Sequence, residues 1–67
     1  MANKKTAKHT ERYKDDKYEI YYNEYSEKYV LKEFLGGNSI KVIGRYDTYR
    51  EARNVLQVYQ EYDKGHR

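Results

Sequence analysis

The 67-residue sequence lacks cysteine, proline and tryptophan, and its aromatic residues are ten tyrosines and one phenylalanine. Without cysteine, disulfides and thiolate metal sites are excluded, so packing alone must supply a stability of roughly 3–5 kcal/mol. No apolar run approaches the roughly 18 residues of a membrane span, and the lysine-rich N-terminus lacks the apolar segment of a signal peptide. These absences predict a small cytoplasmic protein with a thin core and no membrane partner.

The net charge of +3 is concentrated at one end of the chain. Residues 1–17 hold six basic and three acidic side chains, whereas residues 18–67 hold eight of each. A body that binds DNA through many phosphates is normally clearly basic. We therefore expect residues 1–17 to form a flexible basic tail, a solubilising segment or one that binds nucleic acid through Lys4, Lys5, Lys8 and Arg12.

A strand that turns directly into a helix is indicated from Ile40 to Tyr62. Residues 40–46 largely alternate between apolar and polar, as in a half-buried strand, although Ile43 breaks the polar face. Thr48 and Glu51 have the spacing of a capping box, in which Glu51 reaches back to the backbone N–H of Thr48. One helix face then carries apolar residues at spacings of three and four: Tyr49, Ala52, Val55, Leu56, Tyr59 and Tyr62.

Two further strands are predicted upstream, at residues 18–25 and 28–35, with a turn near Ser26 and Glu27. Residues 36–39, Gly-Gly-Asn-Ser, predict a hairpin because Gly and Asn accept positive φ. The fold class is then α+β, a three-stranded antiparallel sheet with one C-terminal helix packed on one face (β-β-β-α). The domain spans residues 18–63.

One helix covers only one face of such a sheet, which leaves the second strand with apolar residues on both sides. Tyr29, Leu31 and Leu35 share one parity, and Val30 and Phe34 share the other. If the first set faces the helix, the other face is an apolar and aromatic surface with basic edges. Such patches mark partner-binding or self-association surfaces, and the second of these predicts a homodimer through this face. The predicted partner-binding residues are Tyr21, Val30, Lys32, Phe34, Lys41, Ile43 and Arg45. A register shifted by one residue would instead place some of them in the core.

No arrangement of residues indicates catalysis. His9 and His66 have no Ser, Asp or second His at triad or metal-ligand spacing. Asp15 and Asp16 are adjacent in the expected tail, and Gly36-Gly37 is not followed by the residues of a phosphate loop. We therefore predict a protein that is not an enzyme, with no catalytic residues, no metal site and no cofactor.

Residues 43–48, Ile-Gly-Arg-Tyr-Asp-Thr, followed by Glu51-Ala52, resemble a strand-to-helix junction in two known domains. These are the DNA-binding domain of plant ethylene-response factors and the arm-type DNA-binding domain of tyrosine integrases. Residues 28–31 also lie where that fold's second strand carries a basic residue and an aromatic one. The resemblance implies a three-stranded sheet backed by one helix, with the sheet face in the major groove. The first strand departs from it, because Tyr21, Tyr22 and Asn23 stand where those families have an Arg-rich run.

Two functions are therefore predicted. The first is a small binding protein that inhibits or modulates a host protein or nucleoprotein complex, such as a defence system. A bias towards Tyr, Lys, Asn, Ile and Glu is typical of AT-rich coding and suggests a phage or other mobile element acting in the bacterial cytoplasm. The alternative is a DNA-binding module of the integrase arm type.

Overall fold

The computed structural model describes residues 10–65, which form four strands and one helix. In chain order these are β1 (Tyr13–Lys14), β2 (Tyr18–Asn23), β3 (Lys28–Gly36), β4 (Ser39–Tyr46) and α1 (Tyr49–Gly65). The strands form one antiparallel sheet in the order β1-β2-β3-β4, and α1 packs on one face. The predicted α+β class is confirmed. The prediction of three strands is wrong, because residues assigned to the tail add a fourth.

The core lies between α1 and the facing side of β2 and β3. Its buried residues are Tyr18, Ile20, Tyr29, Leu31, Ala52 and Leu56. Ile20 pairs directly with Leu31, so the two largest fully buried side chains of the sheet meet under the helix. Tyr29 and Leu31 thus face α1, as predicted. Leu35 does not, because the register of β3 and β4 shifts between Phe34 and Gly36, and its side chain is 55% exposed.

Tyrosines extend this core beyond the aliphatic centre. The ring of Tyr29 lies edge-on to Tyr22, with centroids 5.1 Å apart, and to Tyr49 of the helix, with centroids 5.9 Å apart. Tyr18 makes a similar contact with Tyr59 at 6.3 Å. Edge-to-face pairs of this kind add roughly 0.5–1.5 kcal/mol beyond their buried area. They compensate for the small number of aliphatic residues.

A β-bulge in β4 changes which of its side chains face the helix. Leu31 pairs with Gly44 and Lys32 with Val42, which leaves Ile43 as the extra residue. Ile43 packs against the helix-side core. Lys41 pairs with Glu33 and shares its side of the sheet, the helix side. The prediction that Lys41 and Ile43 belong to the opposite face is therefore wrong, because the bulge inverts the alternation on which it relied.

Thr48 is the N-cap of α1, as its position indicated. Its Oγ1 accepts a hydrogen bond from the backbone N–H of Glu51 at 3.1 Å. Glu51 in turn accepts from the N–H of Asp47 at 3.1 Å, one residue before the N–H that a capping box predicts. The helix then continues to Gly65, two residues beyond the predicted end of the domain.

Asp15 fastens β1 to the rest of the domain. Its Oδ1 accepts the backbone N–H groups of Lys17 and Tyr18, each at 2.7 Å, which closes the turn into β2. Its Oδ2 accepts from the Tyr13 hydroxyl and from Gln60 Nε2 at 3.3 Å, which connects the strand to α1. Partial burial opposes ionisation, but these four hydrogen bonds outweigh it and lower the pKa of Asp15.

We predict that Asp15→Asn costs about 1–2 kcal/mol at neutral pH, because an amide nitrogen replaces the carboxylate oxygen that accepts from Tyr13 and Gln60. A lowered folded-state pKa stabilises the fold above the unfolded value of about 3.9, and this contribution is lost as pH falls through the folded value. The difference between wild type and variant should therefore shrink below about pH 4. Urea unfolding at pH 7 and pH 3 measures it, and a difference that does not depend on pH would contradict the role of the charge.

Candidate partner-binding surface

The side of the sheet that faces away from α1 is a continuous surface across all four strands. Directly paired residues of antiparallel strands point to the same side, so the register defines its members. We call this surface the open face. It consists of Lys14, Glu19, Tyr21, Asn23, Lys28, Val30, Lys32, Phe34, Ile40, Val42 and Arg45.

Five of the seven predicted partner-binding residues lie together on the open face. They are Tyr21, Val30, Lys32, Phe34 and Arg45. The bulge replaces the other two with Ile40 and Val42, and the fourth strand adds Lys14. The residues Lys41 and Val42 do not by themselves indicate that they lie on the opposite sides from those predicted. The doublet Val42-Ile43, which interrupts the alternation, was the one available signal of a bulge.

The centre of the open face is one row of paired residues, Tyr21, Val30 and Arg45. Val30 is only 2% exposed although the helix is on the other side of the sheet. Its neighbours are long side chains that extend over an apolar centre while their charged ends stay near water. Lys32 Nζ lies 4.9 Å from the centroid of the Tyr21 ring, close enough for a cation–π contact.

An apolar half of the open face adjoins the β3–β4 hairpin. Phe34 pairs with Ile40, which is 53% exposed, and Val42 beside them is 44% exposed. Leu35 adds exposed apolar surface at the same end. Gly36 and Gly37 have φ of 104° and 57°, which lets the chain turn tightly behind this patch. The hairpin thus presents exposed aliphatic side chains beside the half-buried ring of Phe34.

The open face is basic although the body as a whole is neutral. Of its cations, Lys28 pairs with Asp47, and Lys14, Lys32 and Arg45 oppose only Glu19, whose Oε1 lies 3.8 Å from Lys32 Nζ. Another carboxylate, Asp63 of α1, pairs with Lys17 at 3.0 Å. Asp63 also accepts from the Tyr18 hydroxyl at 2.6 Å, and burial together with this bond raises the pKa of Tyr18. The body contains equal numbers of acidic and basic residues, but the fold leaves the open face with an excess of positive charge.

Most of the remaining residues singled out in the sequence fall outside the part of the chain that the structure describes. Lys4, Lys5, Lys8, His9 and His66 are outside the described residues. Arg12 precedes β1 with an exposed side chain, and its carbonyl accepts from the Tyr49 hydroxyl at 3.4 Å. Over residues 10–65, no three His, Cys, Asp or Glu side chains are grouped as metal ligands would be. No helix in that range is long and apolar enough to cross a membrane.

Comparisons of the chain with protein-family models, curated proteins and solved structures give no match. The resemblance to the ethylene-response and integrase domains is thus still a prediction. A functional assignment depends on the open face itself, where an apolar hairpin end adjoins a basic, tyrosine-bearing centre.

Proposed function

We propose that this protein is a small non-enzymatic binding protein that acts by docking its open face on a macromolecular partner. The partner is a host protein or nucleoprotein complex in the bacterial cytoplasm, which the protein inhibits or modulates, and the gene belongs to a phage or another mobile element. The observation that carries the proposal is the apolar group formed by half-buried Phe34 and exposed Ile40 and Val42, beside Tyr21, Lys32 and Arg45.

The composition of this surface suits a protein partner. Aromatic residues and arginine are the commonest energetic anchors of protein interfaces, where they lie in the desolvated centre. Tyr21 and Arg45 flank the buried Val30, and Phe34 extends the apolar area towards the hairpin. The cations around them suit an acidic partner surface and would mainly increase the rate of association.

Duplex DNA is the second candidate, and the charge separation favours it. Lys14, Lys32 and Arg45 form a basic set on the sheet, the element that the integrase-type resemblance would place in the major groove. Against it stand Glu19 in the same set and the exposed Ile40 and Val42, which have no phosphate or base-edge donor to offer. The apolar character therefore favours protein over DNA.

We predict that Phe34→Ala weakens partner binding by about 2 kcal/mol or more, because it removes an anchor from the apolar half. Tyr21→Ala should have a comparable effect. Combined replacement of Lys32 and Arg45 by Gln should mainly lower the association rate and its salt dependence. Tyr25→Ala is the matched control, since Tyr25 is fully exposed at 101% in the β2–β3 turn.

The partner is first isolated from nuclease-treated bacterial lysate with the tagged wild type and identified by mass spectrometry, and binding kinetics are then measured for each variant. Labelled duplex DNA is titrated in parallel at two salt concentrations. For a protein partner, capture survives nuclease, Phe34→Ala loses it and Tyr25→Ala retains it. Tight duplex binding that falls steeply with salt and does not respond to Phe34→Ala would replace this proposal with the DNA-binding one.

A further inference from the structure

The two edges of the sheet differ in length. At one edge, β1 is only two residues long, and the Asp15 turn follows it directly. At the other, β4 presents its outer side over eight residues, Ser39–Tyr46, and no strand of the described chain pairs with that side. An edge of this length is about 27 Å long and offers a row of backbone donors and acceptors to another strand.

Beyond the first turn, which carries Glu51, the flank of α1 above this edge is apolar. On the flank towards β1, Arg53 lies 4.7 Å from the Tyr13 ring, and Gln60 donates to the Tyr13 hydroxyl at 3.1 Å. The opposite flank therefore faces β4, and it carries Val55, Val58 and Tyr62 at helical spacing. Val58 is 66% exposed and Tyr62 65% exposed. The exposed strand edge and the exposed helix stripe thus lie on the same side of the domain.

The occupant must cover both features at once. A single extended peptide paired with β4 would leave Val58 and Tyr62 exposed, and a lone helix against the stripe would leave the strand edge unpaired. A second copy related by a twofold axis brings an edge to the edge and a stripe to the stripe. We propose that the chain forms a homodimer in which the β4 strands of two copies pair antiparallel and the Val58–Tyr62 stripes of the two helices meet.

The charges of β4 define a suitable register. The strand has two cations, Lys41 and Arg45, and no carboxylate. With the twofold axis at Val42 and Ile43 as the bulged residue of each strand, Val42 lies opposite Val42 of the other copy, Lys41 opposite Gly44, and Ile40 opposite Arg45. The cations of the two copies then do not oppose one another, and the antiparallel helices align their dipoles favourably. The sheet becomes a continuous eight-stranded one, and the open face of each copy stays accessible, so this dimer does not depend on the proposed function.

The absence of cysteine makes a covalent test clean. In the proposed register, Val42→Cys places two thiols at directly opposed strand positions, within disulfide reach. Under mild oxidation it should form a linked dimer about a hundredfold faster than Tyr25→Cys, which meets its copy only by random collision. A rate equal to that of Tyr25→Cys would overturn the proposal.

Sedimentation equilibrium of the otherwise unmodified chain, over about a hundredfold range of concentration, tests the stripe. Wild type should shift from monomer to dimer, Val58→Lys should stay monomeric, and Gln57→Lys, one residue along on the exposed outer side of the helix, should behave as wild type. A dimer that Val58→Lys leaves intact and Phe34→Ala dissociates would instead be an open-face dimer. A chain that stays monomeric throughout would overturn the proposal outright.

Discussion

Deletion of residues 1–16 should abolish cooperative unfolding, whereas deletion of residues 1–9 should leave it unchanged. The longer deletion removes Tyr13, which packs against the core cluster and contacts Arg53 and Gln60. It also removes the Asp15 bonds to the turn and the pairing of Tyr13 with Ile20. Losing one half-buried tyrosine and several hydrogen bonds costs roughly 4 kcal/mol, comparable to the whole stability expected of so small a domain.

Thermal melts followed by circular dichroism distinguish the two truncations. The shorter one keeps every contact described above and serves as the control. A cooperative transition in the chain that starts at residue 17 would show that β1 is dispensable and support the predicted boundary between a tail of residues 1–17 and a domain of residues 18–63. Retention of partner binding by that chain would show that the open face binds without β1 and its Lys14.

The helix and the three longer strands could be predicted because their signals are local. Thr48 and the apolar spacing through Ala52 and Leu56 need nothing beyond the helix itself. The hairpin at Gly36-Gly37 likewise follows from residues that accept positive φ, as both do. Pairing of β2 with β3 then follows from a short turn, in which the Asn23 side chain accepts from the backbone N–H of Tyr25 at 2.8 Å.

The first strand could not be predicted, because its stabilising contacts are remote in sequence. Tyr13–Lys14 is too short to show a period, and it lies in a charged segment. Its partners Arg53 and Gln60 are some 40 residues or more away. Asp15 can connect Tyr13 to α1 only after the turn has folded back and the helix has brought Gln60 next to it. The local sequence indicates neither event.

The candidate surface was predictable to the extent that strand alternation holds. On β2 and β3 the period of two is unbroken, so Tyr21, Val30, Lys32 and Phe34 share a face as expected. On β4 the extra residue at Ile43 reverses the parity upstream of it, while Arg45 downstream is unaffected. A bulge depends on how two strands fit together, and the pattern of one strand alone does not specify it.

Leu31→Ala should leave the domain largely unfolded at 25 °C, and Val30→Ala should not. Both side chains are buried, at 0% and 2% exposure, but they lie on opposite sides of β3. Leu31 belongs to the buried core cluster between the sheet and α1, so its truncation leaves a cavity and costs about 3–4 kcal/mol, close to the total stability. Val30 is covered by side chains of the open face, which can collapse into the space.

Truncation of Val30 should therefore cost only the transfer of its methyl groups, about 1–2 kcal/mol. Urea titrations of the two variants, at a concentration low enough to keep the chain monomeric, measure this difference. The side chains around Val30, such as Tyr21 and Lys32, end in solvent, so they can move into the vacated space. Side chains in a close-packed core have no such freedom. Equal losses for the two variants would mean that the open face is packed as rigidly as the helix side, and a surface so rigid could not adapt its side chains to a partner.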